Sequence, residues 1–286
     1  MFLIIHNPLS SNKKSKRKTK KVVKYFQKKG IEFILRSTLK ITNLKSYLNK
    51  RKNITDILFL GGDGSINYLI NNVNLDEIEQ NIYLGKSGSG NDFFKSLKPL
   101  KSANVTIGEA NLDNKAKVKF INGCGLGFDG LVSHYVNNDS KKGRFSYFIN
   151  VFRAILKYKS QTIKVIIDDK AYSFNKAFIA SIQNGRYFGG GMKAAPKANI
   201  ESDSYYVIVA HDLNKFLLQL LLLTIYPGWH RFIKSKITIL KGKNIEITLE
   251  HPAYFQADGE VKGDIKYISV KAKQKKILHA FSKNII

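Results

Sequence analysis

Seven consecutive residues, Gly61-Gly62-Asp63-Gly64-Ser65-Ile66-Asn67, combine the parts a phosphate-handling turn needs. The apolar run Ile57-Leu58-Phe59-Leu60 before them has the texture of a buried parallel strand, and Ile66, Leu69 and Ile70 after them are spaced for one face of a helix. Glycine lets a ligand approach the backbone closely. A helix start offers unpaired N–H groups and the positive end of a dipole. Asp63 would repel a bare phosphate, so its carboxylate is better placed for a hydroxyl or a magnesium ion on a nucleotide. The blander reading is a tight strand-to-helix turn.

A carboxylate pair further along, Asp258-Gly259-Glu260, could accept a proton. Asp-Gly is also a common hairpin turn, and spacing alone favours that reading. Other patterns lead nowhere. Gly85-Lys86-Ser87 resembles the end of a phosphate-binding loop, but the glycine required five residues earlier is Gln80. Gly125-Leu126-Gly127-Phe128-Asp129-Gly130 fits the dinucleotide fingerprint, yet no acid follows about 20 residues later to hold a ribose. The six histidines show no metal-ligand spacing, and Cys124 stands alone, which excludes an internal disulfide framework and fits a reducing cytoplasm.

These groups need elements to position them. Phe2 to His6 reads as a first strand, not a signal peptide, and Lys13 to Lys29 as a helix. Strands at Ile31 to Leu35, at Ile57 to Leu60 and at Ile82 to Leu84 alternate with further helices, which predicts a parallel α/β sheet with both glycine-rich turns at its carboxyl edge. After Pro99 short strand-like runs dominate. Helices are expected only at Tyr147 to Tyr158 and Phe216 to Tyr226, so a mostly antiparallel β-sandwich is expected, with the boundary near residue 110 (1–110 and 111–286). Phe216 to Tyr226 is too short for the roughly 20 residues of a membrane span. It is apolar nearly all round, so it either packs on the second sheet or lies at a headgroup boundary between flanking Lys215, Trp229 and Arg231.

The chain carries a formal net charge of +27 and is 43% hydrophobic. Such charge favours anionic partners. No zinc-finger spacing, aromatic RNA-binding motif or basic heptad array is present, so nucleic acid is not expected. An anionic membrane surface or a nucleotide is, or else a composition rich in lysine throughout.

In order and spacing, Asn7-Pro8, the Gly61–Asn67 turn, Gly88-Ser89-Gly90-Asn91-Asp92, Gly125-Leu126-Gly127-Phe128-Asp129, Gly189-Gly190-Gly191 with Pro196 and Ala198, Gly228 with His230, and Asp258-Gly259-Glu260 resemble the soluble bacterial lipid kinases of the diacylglycerol kinase catalytic-domain family. That family is related to sphingosine and ceramide kinases. The resemblance implies an ATP-binding α/β domain, a lipid-binding β-sandwich and an active site in the cleft between them, with ATP and Mg²⁺ as cofactors. It places Asp63 on the magnesium-nucleotide, with Gly61, Gly62, Gly64, Ser65 and Asn67 around the phosphates. Asn7, Pro8, Ser11, Thr38, Ser89 and Asp92 complete the nucleotide site, Glu260 is the general base with Asp258 beside it, and Asp203 is the carboxylate of a structural magnesium. The implied reaction phosphorylates a lipid hydroxyl, diacylglycerol first, with the enzyme cytoplasmic and peripheral at the inner membrane surface, as a monomer or a homodimer. Two alternatives are a nicotinamide-dinucleotide kinase, which shares Gly-Gly-Asp-Gly, and a non-catalytic module for anionic lipid or nucleotide. Ser11 and Ser204 stand where the family has glycine, and Thr106 where several relatives have aspartate.

Overall fold

A computed structural model of the chain describes residues 1–8, 13–41, 43–87, 91–139 and 144–282. Its first part alternates: β1 (Phe2–His6), α1 (Lys13–Lys28), β2 (Phe33–Ser37), α2 (Leu44–Asn49), β3 (Asp56–Gly61), α3 (Asp63–Asn72), β4 (Asn81–Lys86) and α4 (Asp92–Leu97). The strands pair in parallel in the order β2-β1-β3-β4. They form because alternate residues are buried on opposite faces. Ile4, Leu58 and Leu60 meet Phe26 of α1, whereas Leu3, Ile5, Ile57 and Phe59 meet the side carrying Ile66, Leu69 and Phe93. The chain leaves β1 toward β2 and then returns past it to β3. The sheet's winding therefore reverses between β1 and β3, where open α/β sheets leave a crevice for ligands at the strands' carboxyl ends.

The second part comprises β5 (Ser102–Leu112), β6 (Ala116–Phe120), β7 (Gly123–Gly127), α5 (Phe128–Asn138), α6 (Arg144–Lys157), β8 (Gln161–Ile167), β9 (Lys170–Ala177), β10 (Ile179–Gln183), β11 (Tyr205–Ala210), α7 (Lys215–Ile225), β12 (Ile237–Gly242), β13 (Ile245–Ala257) and β14 (Glu260–Ala280). One antiparallel layer runs β6-β5-β14-β13-β8-β9 and the other β13-β7-β10-β11-β12. β13 belongs to both. Its register breaks between Thr248 and Phe255, which lets one strand turn from layer to layer. Leu112, Phe120, Leu126, Val165, Tyr205 and Phe255 fill the space between the layers, while α5, α6 and α7 cover the outer face of the second. This is the expected α/β domain joined to a β-sandwich.

Several elements differ from expectation. β7 and α5 occupy the glycine-rich stretch 123–130, where neither a strand nor a helix was expected. Glycine is required in this strand by close neighbours: a Cβ on Gly125 would lie 2.5 Å from Asp129 Oδ2 and 2.9 Å from the Ala180 carbonyl. β9 was also missed, because this edge strand is mostly exposed and carries polar residues. β14 is 21 residues long, unlike the short runs expected after Pro99, and pairs with β13, then β5, then β4. β5 likewise runs through the boundary expected near residue 110.

Candidate active site

The carboxyl ends of β1, β3 and β4 converge. Asn7 follows β1, and its Nδ2 donates to Ser65 Oγ at 3.4 Å, with Pro8 next in the chain. The Ser15 hydroxyl of α1 donates to the Asn7 carbonyl and meets Ser87 Oγ, just past β4, at 3.0 Å. Gly61 ends β3 where a Cβ would strike Ser65 Cβ at 2.3 Å, so glycine is needed for the turn itself. Gly64 is different: it is exposed, and a Cβ there would meet nothing within 4 Å. The protein's own packing does not demand a glycine there, whereas a ligand lying on the backbone would. Gly62 caps α3 without a side-chain bond, and its carbonyl accepts from the Ser65 and Ile66 N–H groups, so that among the described residues only the Asp63 and Gly64 amides of the first turn have no intrahelical acceptor.

Asp63 turns inward. Its two carboxylate oxygens accept from the backbone N–H groups of Asp92 at 2.9 Å and Phe93 at 3.1 Å, which fixes the start of α4 beside the start of α3. Burial, and then the neighbouring Asp92 charge, push its pKa up to about 6. Asp92 is itself buried. One oxygen accepts from Lys95 Nζ at 2.8 Å and the other from Gly190 N–H at 2.6 Å, tying α4 to the Gly189–Gly191 loop of the second domain. Thr38 lies in the short turn after β2 and lines a cavity of about 140 Å³ together with Phe59, Tyr68, Leu69 and Asn72. Tyr68, Leu69 and Asn72 project from the same α3 that begins at Asp63. Ser11 and Ser89, also expected at the nucleotide, lie outside the described residues.

The second domain brings the tip of the β13–β14 hairpin to this turn. Asp258 and Gly259 both have positive φ, 49° and 94°, as a two-residue hairpin turn requires. The Asp258 carboxylate accepts from the N–H groups of Ile121, Asn122 and Gly123 at 2.8, 2.9 and 3.0 Å, and from Asn67 Nδ2 at 3.4 Å. Burial raises its pKa, and these four bonds oppose the rise. Asp258 is thus a fixed anchor that joins α3 to the chain between the domains. Glu260, two residues on, is exposed and, among the described residues, makes no side-chain hydrogen bond or ion pair.

Sequence reasoning missed the groups that hold this hairpin. Asn71 donates to the Lys119 carbonyl at 2.9 Å and accepts from the Lys119 N–H at 2.9 Å, stitching α3 to β6. Gln256 Oε1 accepts from Gly259 N–H at 3.2 Å, and Gln256 Nε2 donates to Asp129 Oδ2 at 3.1 Å. Asp129 also accepts from Gly130 N–H, and burial pushes its pKa up to about 7. Gln256 gave a weak signal as a polar residue at an inward position of a strand. Asp129 had been noted only as part of a motif.

Asp203 does not sit as a metal ligand would. Its Oδ1 is 3.0 Å from Lys275 Nζ, and the same ammonium donates to the Glu201 carbonyl at 3.0 Å. The lysine supplies the positive charge that a metal would bring, so the expected structural magnesium does not fit. Among the described residues no group of three or more His, Cys, Asp or Glu is placed to hold a metal ion. A nucleotide-bound Mg²⁺ is another matter. It takes one or two carboxylates, with phosphates and water supplying the rest. Asp63 beside Asp92 fits that need: burial first, and the Asp92 charge second, disfavour the ionised Asp63 carboxylate, and a cation at the site would offset both.

A parallel α/β sheet with a glycine-rich turn at its switch point, closed by a β-sandwich hairpin bearing carboxylates, defines a two-domain kinase class. Residues 1–120 match the diacylglycerol kinase catalytic domain, and residues 123–275 match the YegS C-terminal NAD kinase beta sandwich-like domain. The chain belongs to this family of diacylglycerol kinase-like lipid kinases. It is 25% identical over 299 residues to "Putative lipid kinase YtlR" of Bacillus subtilis, covering 92% of this chain and 93% of that protein. It is 28% identical over 222 residues to "Putative lipid kinase SAR0780" of Staphylococcus aureus, covering 72% of this chain and 71% of the other. A crystal structure of "a putative diacylglycerol kinase" from Bacillus anthracis shares the fold, with a TM-score of 0.74 at 18% identity over 100% of this chain and 98% of that one.

Proposed function

We propose that the chain transfers the γ-phosphate of magnesium-ATP to the hydroxyl of a membrane lipid, with diacylglycerol the first candidate. One observation carries this reading: the Asn67–Asp258 bond holds the hairpin tip at the glycine-rich turn, two residues from an exposed and unengaged carboxylate, Glu260. The amides at the start of α3, with Gly64 open beside them, would take the phosphates, and the cavity lined by Thr38, Tyr68 and Asn72 would take the base. Asp63 and Asp92 would hold the magnesium ion, which neutralises phosphate charge when bound. Glu260 accepts the proton of the attacking hydroxyl, a contribution of roughly 10²–10⁴-fold. Asp258 stays an anchor: its carboxylate is committed to three amides and Asn67. Asn7 and Ser65 support the floor of the site, and Asp92 ties the two domains across it.

The sandwich belongs to a type described as NAD kinase-like, so a dinucleotide acceptor is the second reading. Radiolabelled ATP offered with diacylglycerol, a sphingoid base or NAD separates them. Label in a lipid product is expected. Label in NAD alone, or in no product, refutes the proposal.

A further inference from the structure

Of the two readings of Phe216 to Tyr226, packing on the second sheet holds for one side of the helix. Leu218 and Leu221 of α7 are buried in the helix layer. Phe216, Leu217, Leu220 and Leu223 are exposed, and their spacing places them on the opposite side of the helix. α6 repeats the pattern: Val151, Ala154 and Ile155 face inward while Phe148, Ile149, Phe152 and Leu156 face out. The two helices are neighbours, joined where Lys215 Nζ donates to the Leu156 carbonyl. The short 3₁₀ turn after α7 adds Trp229 and Phe232, and every one of these side chains is between 36% and 70% exposed. Soluble surfaces scatter single apolar residues, but a continuous field of this kind marks an interaction surface.

We infer that the joined outer faces of α6, α7 and the Trp229–Phe232 turn are a docking surface for an anionic lipid bilayer. Charge selects that occupant. Residues 144–167 and 213–245 contain eleven lysines and arginines and not one aspartate or glutamate. Arg153, Lys157, Lys215, Arg231 and Lys234 are exposed around the apolar field. A second copy of the chain would bring the same cations against them and be repelled. Anionic headgroups would pair with the rim while acyl chains accept the centre, and the exposed aromatic Trp229 suits the boundary between the two. The surface is also mechanically close to the site. Lys193 N–H donates to the Ile225 carbonyl at the end of α7, His230 Nε2 lies 2.8 Å from the Ala194 carbonyl, and this segment leads back to Gly190, the partner of Asp92. Docking here would set the cleft against the membrane that holds the acceptor. Only this last step rests on the lipid-kinase reading.

Trp229 is the chain's sole tryptophan, so the wild-type protein carries its own reporter. Phosphatidylglycerol-containing vesicles at low salt should shift its emission to the blue, and lipids brominated along the acyl chain should quench it. Pure phosphatidylcholine should do neither, and high salt should reverse the effect. The exposed-face variants Phe152→Glu and Leu220→Glu/Leu223→Glu should each lower the fraction sedimenting with anionic vesicles at least tenfold. Thermal unfolding, and phosphorylation of a short-chain acceptor in detergent, should stay unchanged. Co-sedimentation without any change in Trp229 emission, equal binding by the variants, salt-insensitive binding to neutral vesicles, or no vesicle binding at all would overturn the inference. Vesicle binding with the expected Trp229 response but no lipid phosphorylation would keep the docking surface and sink the kinase reading instead. Lipid phosphorylation without vesicle binding would do the reverse.

Discussion

Asp129→Asn should make the protein more stable and less active. The carboxylate is buried at the start of α5, and burial lifts its pKa from an ordinary 3.8 to about 7. The folded chain therefore binds this proton more tightly than the unfolded chain does. The carboxyl's contribution to stability is fully present below pH 4 and is lost as pH rises through 7. A shift of that size corresponds to about 4 kcal/mol of penalty on the alkaline side. Asparagine carries no such penalty. The unfolding free energy of the variant minus that of wild type should grow by about 2–3 kcal/mol between pH 5 and pH 8. A constant offset of about 1–2 kcal/mol runs the other way, because one amide oxygen cannot satisfy both Gln256 Nε2 and Gly130 N–H. The same conflict drives the loss of activity. If the Gln256 amide turns to suit its new neighbour, its NH₂ faces Gly259 N–H and the hairpin bearing Glu260 loses a support. Urea unfolding of both proteins at pH 5, 6, 7 and 8, with kcat measured alongside, tests both halves. A stability difference that does not vary with pH would refute the burial account. Unchanged kcat would refute the positioning role of Gln256.

The remaining expectations concern single groups. Asp63→Ala leaves two amides of α4 without acceptors, about 1–3 kcal/mol each, partly offset by removing a strained carboxylate, so the protein should fold and fail to bind magnesium-ATP in a calorimeter; near-normal turnover at saturating ATP would contradict the assignment. Glu260→Gln should lower kcat by roughly 10²-fold or more, leave ATP affinity intact and move stability by less than about 0.5 kcal/mol, since the residue is exposed; equal losses in affinity and rate would point to a structural role. A chelator should leave the melting temperature of the nucleotide-free protein unchanged, because Lys275 already neutralises Asp203; a clear drop would restore a metal there.

The first half of the fold was legible because each strand there is an unbroken apolar run closed by a turn residue. Ile57 to Leu60 and then the glycines leave little choice of structure. The sandwich was harder to read. Gly123 to Gly127 looks like a loop until Asp129 and the Ala180 carbonyl are seen to occupy the space a side chain would need. β14 alternates polar and apolar residues along its length, and lysines on its exposed face hide its continuity. In the site, Asp63 was identifiable by its place between glycines, but not its grip on the α4 amides, which depends on where a distant helix begins. Asp258 and Glu260 read as an undivided acidic pair. Only the hairpin geometry separates them into an anchor and a free carboxylate. The ion pair of Asp203 was not legible, because its partner Lys275 lies 72 positions away, on a strand that no local pattern connects to it.

The length of β14 bears on how the protein is made. Leu278 and Ala280 sit beside Ile82 and Leu84 in the core of the parallel sheet, completing the edge that β4 would otherwise leave open. On the ribosome, that edge is finished about 190 residues before its last neighbour is translated. At about 5–20 residues per second the interval is on the order of ten to forty seconds. Through it an apolar strand, Ile82-Tyr83-Leu84, presents unpaired backbone groups to the cell, the situation in which chains join edge to edge. Fragments ending after residue 120 would stay in that state permanently. They should be poorly soluble, and nascent chains of intermediate length should be natural clients of holdase chaperones.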